Sequence, residues 1–158
     1  MPNWCMNSVT ITGDLDKLAE IQVAAKEERL LEYLAPIGEW DYGTAVETWG
    51  TKWEVRCEIH ELDPDKATLY LSFDSAWGPP VEAYYTAEEN LDISIEAYYI
   101  EEGMGFVGRY KDGTEETYEL DYEAGLDDIP DHIIEAWALD ERLESWLEWN
   151  AEEENEDA

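Results

Sequence analysis

The chain has 158 residues, with 41 acids against nine Lys and Arg residues and a formal net charge of −32 at pH 7. This charge excludes bulk electrostatic binding to a nucleic-acid backbone and argues against docking on an anionic membrane, because like charges repel. Hydrophobic residues nevertheless make up 44% of the chain and aromatic residues 13%, which excludes a disordered acidic tail and predicts a folded, aromatic-rich core.

The first half of the sequence predicts a strand, a helix and a β-hairpin. Residues 8–12 alternate polar and β-branched side chains, which is typical of a short strand, and apolar residues recur at helical spacing over 15–34. Residues 39–52 are predicted to form an ordered loop with about one helical turn. Apolar and polar residues alternate over 53–61 and again over 69–73, and the Asp-Pro-Asp-Lys turn between them joins the two predicted strands.

The second half predicts a helix over 81–90 and a strand over 91–100. The element order up to this point is βαββαβ, which predicts an α+β fold with a ferredoxin-like antiparallel sheet. The segments 103–111 and 116–122 flank an Asp-Gly pair and predict a C-terminal β-hairpin, which extends the sheet or folds over it. A single acidic amphipathic helix is predicted over 127–149.

Residues 1–150 are predicted to form a single domain with a C-terminal extension from about residue 115, and the acidic segment 151–158 is predicted to be a frayed tail. Residues 115–158 contain 18 acids and one base, Arg142, which gives a net charge of 1 − 18 = −17. Such a segment cannot fold alone, so it must pack on the rest of the domain. The predicted contact is the apolar stripe of its helix, formed by Ile133, Trp137, Leu143, Trp146 and Leu147.

The sequence predicts a cytoplasmic protein with reduced thiols. The N-terminal residues lack the basic region followed by an apolar region that is typical of a secretory signal. No apolar run approaches the roughly 18 residues of a membrane span. The cysteines Cys5 and Cys57 form neither a disulfide framework nor a zinc motif.

The sequence also predicts that the protein is not an enzyme and that it carries no cofactor or metal. The only histidines are His60, on the polar side of a predicted strand, and His132, in the first turn of a predicted helix. No nucleophile elbow, zinc-protease motif, P-loop or dinucleotide fingerprint is present. Close pairs of acids are expected by chance in a chain this acidic.

Four short blocks of the sequence resemble a known family. They are MPNWCMNSVTITG at 1–13, WGTKW at 49–53, SAWGPP at 75–80 and GMGFVGRYKDG at 103–113. Together and in this order they resemble the YubB-type ferredoxin-like domain family of phages and plasmids. The resemblance implies the βαββαβ core and an origin in a mobile element, and it implies no catalytic residues. The family name describes a fold and not an iron–sulfur cluster, which two cysteines could not ligate.

The charge itself predicts the leading function, which is binding of a host protein that has a basic surface. In its sharpest form the protein mimics DNA, since 32 charges correspond to about 54 Å of duplex at ~1.7 Å per charge. The partner would be a restriction, CRISPR, nucleoid or transcription factor, and a homodimer would lengthen the charged surface. Adaptation to a salty cytoplasm is the alternative explanation of the acidity. The predicted partner-binding acids lie on the C-terminal helix: Glu135, Asp140, Glu141, Glu144 and Glu148.

The tryptophans of the sequence blocks predict a second possible function. They either pack together as a structural cluster that closes one end of the sheet, or line a pocket for a small molecule or peptide. The candidate pocket residues are Asn3, Trp4, Asn7, Trp49, Lys52, Trp53 and Trp77.

Overall fold

The computed structural model describes residues 3–156, and side chains over 3–152. A six-stranded sheet and six helices account for most of this part of the chain. In chain order the elements are β1 (Trp4–Thr12), α1 (Leu15–Lys26), α2 (Leu30–Leu34), α3 (Tyr42–Trp49), β2 (Cys57–Asp63), β3 (Thr68–Ala76), α4 (Val81–Leu91), β4 (Ser94–Glu101), β5 (Phe106–Lys111), β6 (Thr114–Glu119), α5 (Asp131–Trp137) and α6 (Leu139–Glu156).

The strands lie in the order β2-β3-β1-β4-β5-β6, and every neighbouring pair is antiparallel. The prediction of an α+β fold with an antiparallel sheet is therefore confirmed. The β5–β6 hairpin extends the sheet beyond β4 and does not fold over it. Its turn, Asp112-Gly113, has positive φ at both residues, as a two-residue hairpin turn of this kind requires.

Each face of the sheet carries its own hydrophobic core. On the first face, side chains such as Val9 and Ile11 pack under α1 and α4. On the second face, Ile100 and Val107 pack under α5 and α6. The alternation of side chains along a strand allows this, because successive residues of one strand point to opposite faces. Among the described residues, β1, β2 and β3 contribute no side chain to the second core, and we call their part of this face the bare part.

The predicted helix over 15–34 is wrong as one element, because α1 ends at Lys26 and α2 starts at Leu30. Glu28 between them has φ +60, a left-handed conformation that stops a helix. The predicted loop at 39–52 contains the two-turn helix α3. The Asp41 carboxylate caps α3 by accepting a hydrogen bond from the Thr44 amide at 3.0 Å.

The predicted strand over 53–61 begins later, at Cys57. The reason is Glu54, whose carboxylate accepts hydrogen bonds from the amides of Leu31 at 2.8 Å and Glu32 at 2.9 Å. This carboxylate caps the start of α2 and draws the chain away from strand pairing. A β-bulge then falls at His60, between the paired residues Ile59 and Glu61.

The single helix predicted over 127–149 is also wrong, because Ala138 divides it into α5 and α6. Ala138 has φ +51, and the Arg142 side chain donates from Nε to the carbonyl oxygen of Trp137 at 2.8 Å, which satisfies an end of α5. Helix α6 continues to Glu156, well into the segment predicted to be a frayed tail, and residues 157–158 lie outside the described part.

The two cysteines are free, and they lie on strands separated by β3. Two strand spacings amount to about 10 Å, too far for a disulfide. Within residues 3–156 no helix is long and apolar enough to cross a membrane.

We expect both thiols to resist alkylation in the native protein. Burial raises the pKa of Cys5 and of Cys57 from 9.0 to about 12. At pH 8 the thiolate fraction therefore falls from about one in ten to about one in ten thousand, so native labelling by iodoacetamide should be roughly a thousandfold slower than labelling in urea. Time-resolved mass spectrometry measures both rates, and equal rates would contradict this account of the two strands.

Candidate functional site

The acids predicted to bind a partner are all exposed on the two C-terminal helices. Asp140, Glu144 and Glu148 are exposed and four residues apart on α6, so they form one row with a spacing of about 6 Å along the helix axis. Glu141 is exposed next to this row, and Glu135 is exposed on α5 beyond the break at Ala138. The structure thus brings together the acids of α6 and places Glu135 on a different helix.

The acidic surface is wider than the predicted row. From Glu115 to Glu152 every acid except Glu116 is exposed. Glu116 is half-buried, where it accepts a hydrogen bond from His132 and lies 3.8 Å from the Nε of Arg109. We call all the other acids in this range the acidic surface. These contacts give His132 a structural role, because they fasten the start of α5 to the sheet.

The only base in this range, Arg142, does not neutralise the row on α6. Its Nη1 atom lies 2.6 Å from the Glu102 carboxylate, outside the range, and its Nε atom binds the Trp137 carbonyl. Arg142 is therefore engaged away from the row on α6.

Two of the residues predicted to line a tryptophan pocket lie in the core instead. Trp49 is 3% exposed and donates from Nε1 to the Ala35 carbonyl at 2.8 Å. Asn7 is 1% exposed, and its amide nitrogen donates to the Cys5 carbonyl at 3.0 Å and to the Ser75 hydroxyl at 2.9 Å. Neither side chain is available to a ligand at the surface.

Four of the other predicted residues form a surface cluster, in which three tryptophans surround a lysine. The rings of Trp4 and Trp53 are 6.0 Å apart, and the Lys52 ammonium lies 4.2 Å from the Trp53 ring and 5.8 Å from the Trp77 ring. We call Trp4, Lys52, Trp53 and Trp77 the tryptophan patch. Its three indoles are 40–48% exposed, so it is an open surface and not a core.

All four of the sequence blocks meet at this end of the sheet. The carbonyl of Asn3 accepts a hydrogen bond from the Trp77 amide at 2.8 Å, and the Thr51 hydroxyl donates to the Ala76 carbonyl at 2.8 Å. Asn3 also lies against the fourth block, since a Cβ on Gly103 would be 3.1 Å from the Asn3 side chain. Asn3 thus links the first block to the third and fourth, Thr51 links the second block to the third, and the Asn3 side chain does not belong to the tryptophan patch.

A groove that the sequence did not predict lies on the bare part of the second face. It has a volume of about 440 Å³ and is lined by residues that include Ser8, Glu58, His60, Ser72 and Trp137. The bulge directs His60 to Ser72, with 2.8 Å between Nε2 and the hydroxyl oxygen. The alternation of polar residues along the predicted strands is the only sequence signal for this groove. Its lining residues come from different strands and are brought together by the strand register.

A His–Ser hydrogen bond is one half of a nucleophile–base arrangement. Among residues 3–152 no carboxylate is hydrogen-bonded to the His60 ring, so the imidazole lacks the group that would orient it as a base. The same part of the chain holds no cluster of three or more His, Cys, Asp or Glu side chains placed to bind a metal ion.

No family model matches the chain, and no curated protein matches it. The chain is similar to the crystal structure of protein api92 from Yersinia pseudotuberculosis, which carries the family description DUF1281. The two are 10% identical with a TM-score of 0.48, and the similarity covers 77% of this chain and 99% of that chain. At this level of similarity, function has to be inferred from the chain's own side chains.

Proposed function

We propose that this chain is a non-enzymatic accessory protein of a phage or plasmid that binds a host protein through the acidic surface. In its sharpest form it occupies the DNA-binding surface of a restriction, CRISPR, nucleoid or transcription factor. The observation that supports this proposal is the exposure of all acids but one between Glu115 and Glu152, without a free base among them.

The geometry of α6 suits this role. Asp140, Glu141, Glu144 and Glu148 place four acids within about 12 Å of helix axis, which is close to the one phosphate per ~3.4 Å of axis on each strand of duplex DNA. Leu139 is fully buried and Arg142 is held by two partners, so the row stands on a fixed scaffold. A fixed row loses little conformational entropy when a partner binds.

The proposal also covers the topology of the fold and the origin of the protein. The first four strands lie in the order β2-β3-β1-β4 with all neighbours antiparallel, and α1 and α4 pack on one face, which supports a ferredoxin-like βαββαβ core. The convergence of the four sequence blocks near Asn3 supports membership of the YubB-type family, and with it the mobile-element origin and a site of action in the host cytoplasm.

The test is capture of partners from a bacterial lysate by the tagged protein, with mass spectrometry as the readout. We expect a nucleic-acid-binding protein that excess duplex DNA and high salt displace. Neutralising the predicted acids should weaken its binding at least tenfold, because each change removes one charge from the contact surface. The variant carries E135Q, D140N, E141Q, E144Q and E148Q.

The matched control changes the same number of exposed acids on the opposite part of the molecule and reaches the same net charge. Its substitutions are D16N, E39Q, E47Q, E82Q and E89Q. This control should bind within twofold of the unchanged protein. Equal losses in the two variants would show that only net charge matters, and a partner that DNA does not displace would contradict mimicry.

A second candidate function is ligand or peptide binding at the tryptophan patch. The observation that favours it is the backbone of Trp77, which has φ +71, a conformation that is costly for a bulky residue. The Asn3 carbonyl holds Trp77 in this conformation, with its ring near the Lys52 ammonium. Binding at this patch would be insensitive to salt and to DNA, which separates it from binding at the acidic surface.

A further inference from the structure

Strand β6 is an open edge of the sheet, because it pairs with β5 and with no other strand of residues 3–156. The opposite edge strand, β2, is interrupted by its bulge, and β6 is not. On β6, Glu115, Thr117 and Glu119 are exposed, while Glu116 and Tyr118 between them are half-buried. We call Glu115, Thr117 and Glu119 the edge row.

The backbone amides of the edge row point away from the rest of the sheet. In an antiparallel pair, residues whose amide and carbonyl face the partner strand alternate with residues whose groups face outward. The Glu116 carbonyl faces β5, since a Cβ on Gly108 would clash with its oxygen, and the Leu120 amide donates to the Gly105 carbonyl at 2.8 Å. The residues of the edge row alternate with these two, so their amides and carbonyls face outward and can pair with an additional strand.

The side chains of the edge row specify the charge of such a strand. The Glu115 carboxylate and the Thr117 hydroxyl both contact the Tyr99 hydroxyl, which places the edge row on the first face of the sheet. The two bases of β5, Arg109 and Lys111, lie on the second face, where they are paired with acids. The strand that carries β6 therefore offers the two carboxylates of the edge row no base on their own face.

A second copy of the chain is a poor occupant of this edge. If two copies paired β6 to β6 about Thr117, Glu115 of each would stand opposite Glu119 of the other, and like charges directly opposite destabilise an antiparallel pair. The net charge of −32 on each copy adds to this repulsion. Charge complementarity therefore favours an extended segment that carries lysine or arginine at every second residue.

We propose that the partner protein adds an extended basic segment to β6 as a seventh strand, with its lysine or arginine side chains next to Glu115 and Glu119. This inference rests on the proposed function and names the part of the partner that binds. In recognition by strand addition, main-chain hydrogen bonds supply affinity and alternating side chains supply specificity. The outward amides and carbonyls of the edge row supply the first, and its two carboxylates supply the second.

The test uses a labelled decapeptide in which lysine and threonine alternate, with fluorescence anisotropy and amide hydrogen exchange as readouts. At saturating peptide, exchange of the amide protons of Glu115, Thr117 and Glu119 should slow about tenfold or more. The same peptide methylated at every backbone nitrogen keeps its charge but cannot donate main-chain hydrogen bonds. It should bind about tenfold more weakly and leave the exchange rates unchanged.

Two charge variants separate the edge row from the net charge of the molecule. E115Q/E119Q removes both carboxylates and should raise Kd for the unmethylated peptide about fivefold. Glutamine keeps an acceptor for the Tyr99 hydroxyl, so the hairpin should fold as before. E58Q/E61Q removes two exposed acids from the opposite edge strand, and its Kd should stay within about twofold of that of the unchanged protein.

Equal affinities for the two peptides, or protection confined to amides outside β6, would overturn strand addition and leave the proposed function in place. Equal losses in the two charge variants would also overturn it, because only net charge would then matter. A peptide that does not bind would overturn it as well. The proposed function itself is overturned only if the lysate yields no partner that DNA displaces.

Discussion

Replacing Gly108 by alanine is expected to lower the free energy of unfolding by about 3 kcal/mol or more. A Cβ at this position would lie 2.2 Å from the Glu116 carbonyl oxygen and 2.5 Å from the Tyr99 hydroxyl. The first of these atoms is backbone of β6, and the second is fixed by a hydrogen bond to the Glu115 carboxylate at 3.0 Å. Neither can move without opening the β5–β6 pairing. For a chain of this size the midpoint of thermal unfolding should fall by about 6 to 12 °C.

Gly78→Ala is the matched control for this prediction. No atom lies within 4 Å of a Cβ at Gly78, and its φ lies outside the left-handed region. Its free energy of unfolding should therefore change by less than about 0.5 kcal/mol. Calorimetry of the two variants measures the difference. If Gly108→Ala unfolds at the same temperature as the unchanged protein, the β5–β6 hairpin is not packed as described.

Replacing Trp49 by alanine is expected to cost about 3 to 5 kcal/mol, the range for removal of a buried tryptophan. The indole is 3% exposed in the first core, and its removal also leaves the Ala35 carbonyl without its hydrogen bond from Nε1. Trp53→Ala removes a side chain that is 40% exposed and should cost less than about 1 kcal/mol. The sequence block that contains both residues would thus divide into one structural and one surface tryptophan.

Urea unfolding followed by far-UV circular dichroism measures both costs without depending on tryptophan emission. Equal costs for Trp49→Ala and Trp53→Ala would contradict the assignment of Trp49 to the core. A loss of ligand or partner binding in a well-folded Trp49→Ala variant would return this residue to the functional surface.

Local signals predicted those elements whose ends are set by nearby residues. The Asp112-Gly113 turn was predictable because few residue pairs adopt two positive φ values in succession. Helix α4 begins after Pro80 as predicted, since proline is favoured at a helix start. Exposure of Asp140, Glu144 and Glu148 followed from their place on the polar side of an amphipathic helix.

Long-range contacts decided the features that the sequence did not predict. The late start of β2 depends on Glu54 binding the amides of Leu31 and Glu32, more than twenty residues away. The break at Ala138 occurs without a glycine or proline in the sequence to signal it. It permits the contact of Arg142 with Glu102, which lies in the turn between β4 and β5. Local periodicity carries no information about such partners.

The candidate site was predictable only in part for a similar reason. Trp49 and Trp53 stand in one short block, and nothing in that block showed that they would differ in burial. Trp49 is the last residue of α3 and packs into the first core. The pairing of His60 with Ser72 required the strand register and the bulge, which no local pattern specifies.

The two edges of the sheet bear on how this protein behaves at high concentration. An open edge strand can template cross-chain strand addition and so start aggregation. Here the β2 edge is interrupted by the bulge at His60, and the β6 edge carries Glu115, Glu116 and Glu119. Screening by salt weakens the repulsion between the acids of β6 but does not affect the bulge on β2, which is a feature of the backbone. Aggregation at high salt should therefore begin at β6, while the β2 edge stays protected at every salt concentration at which the fold persists.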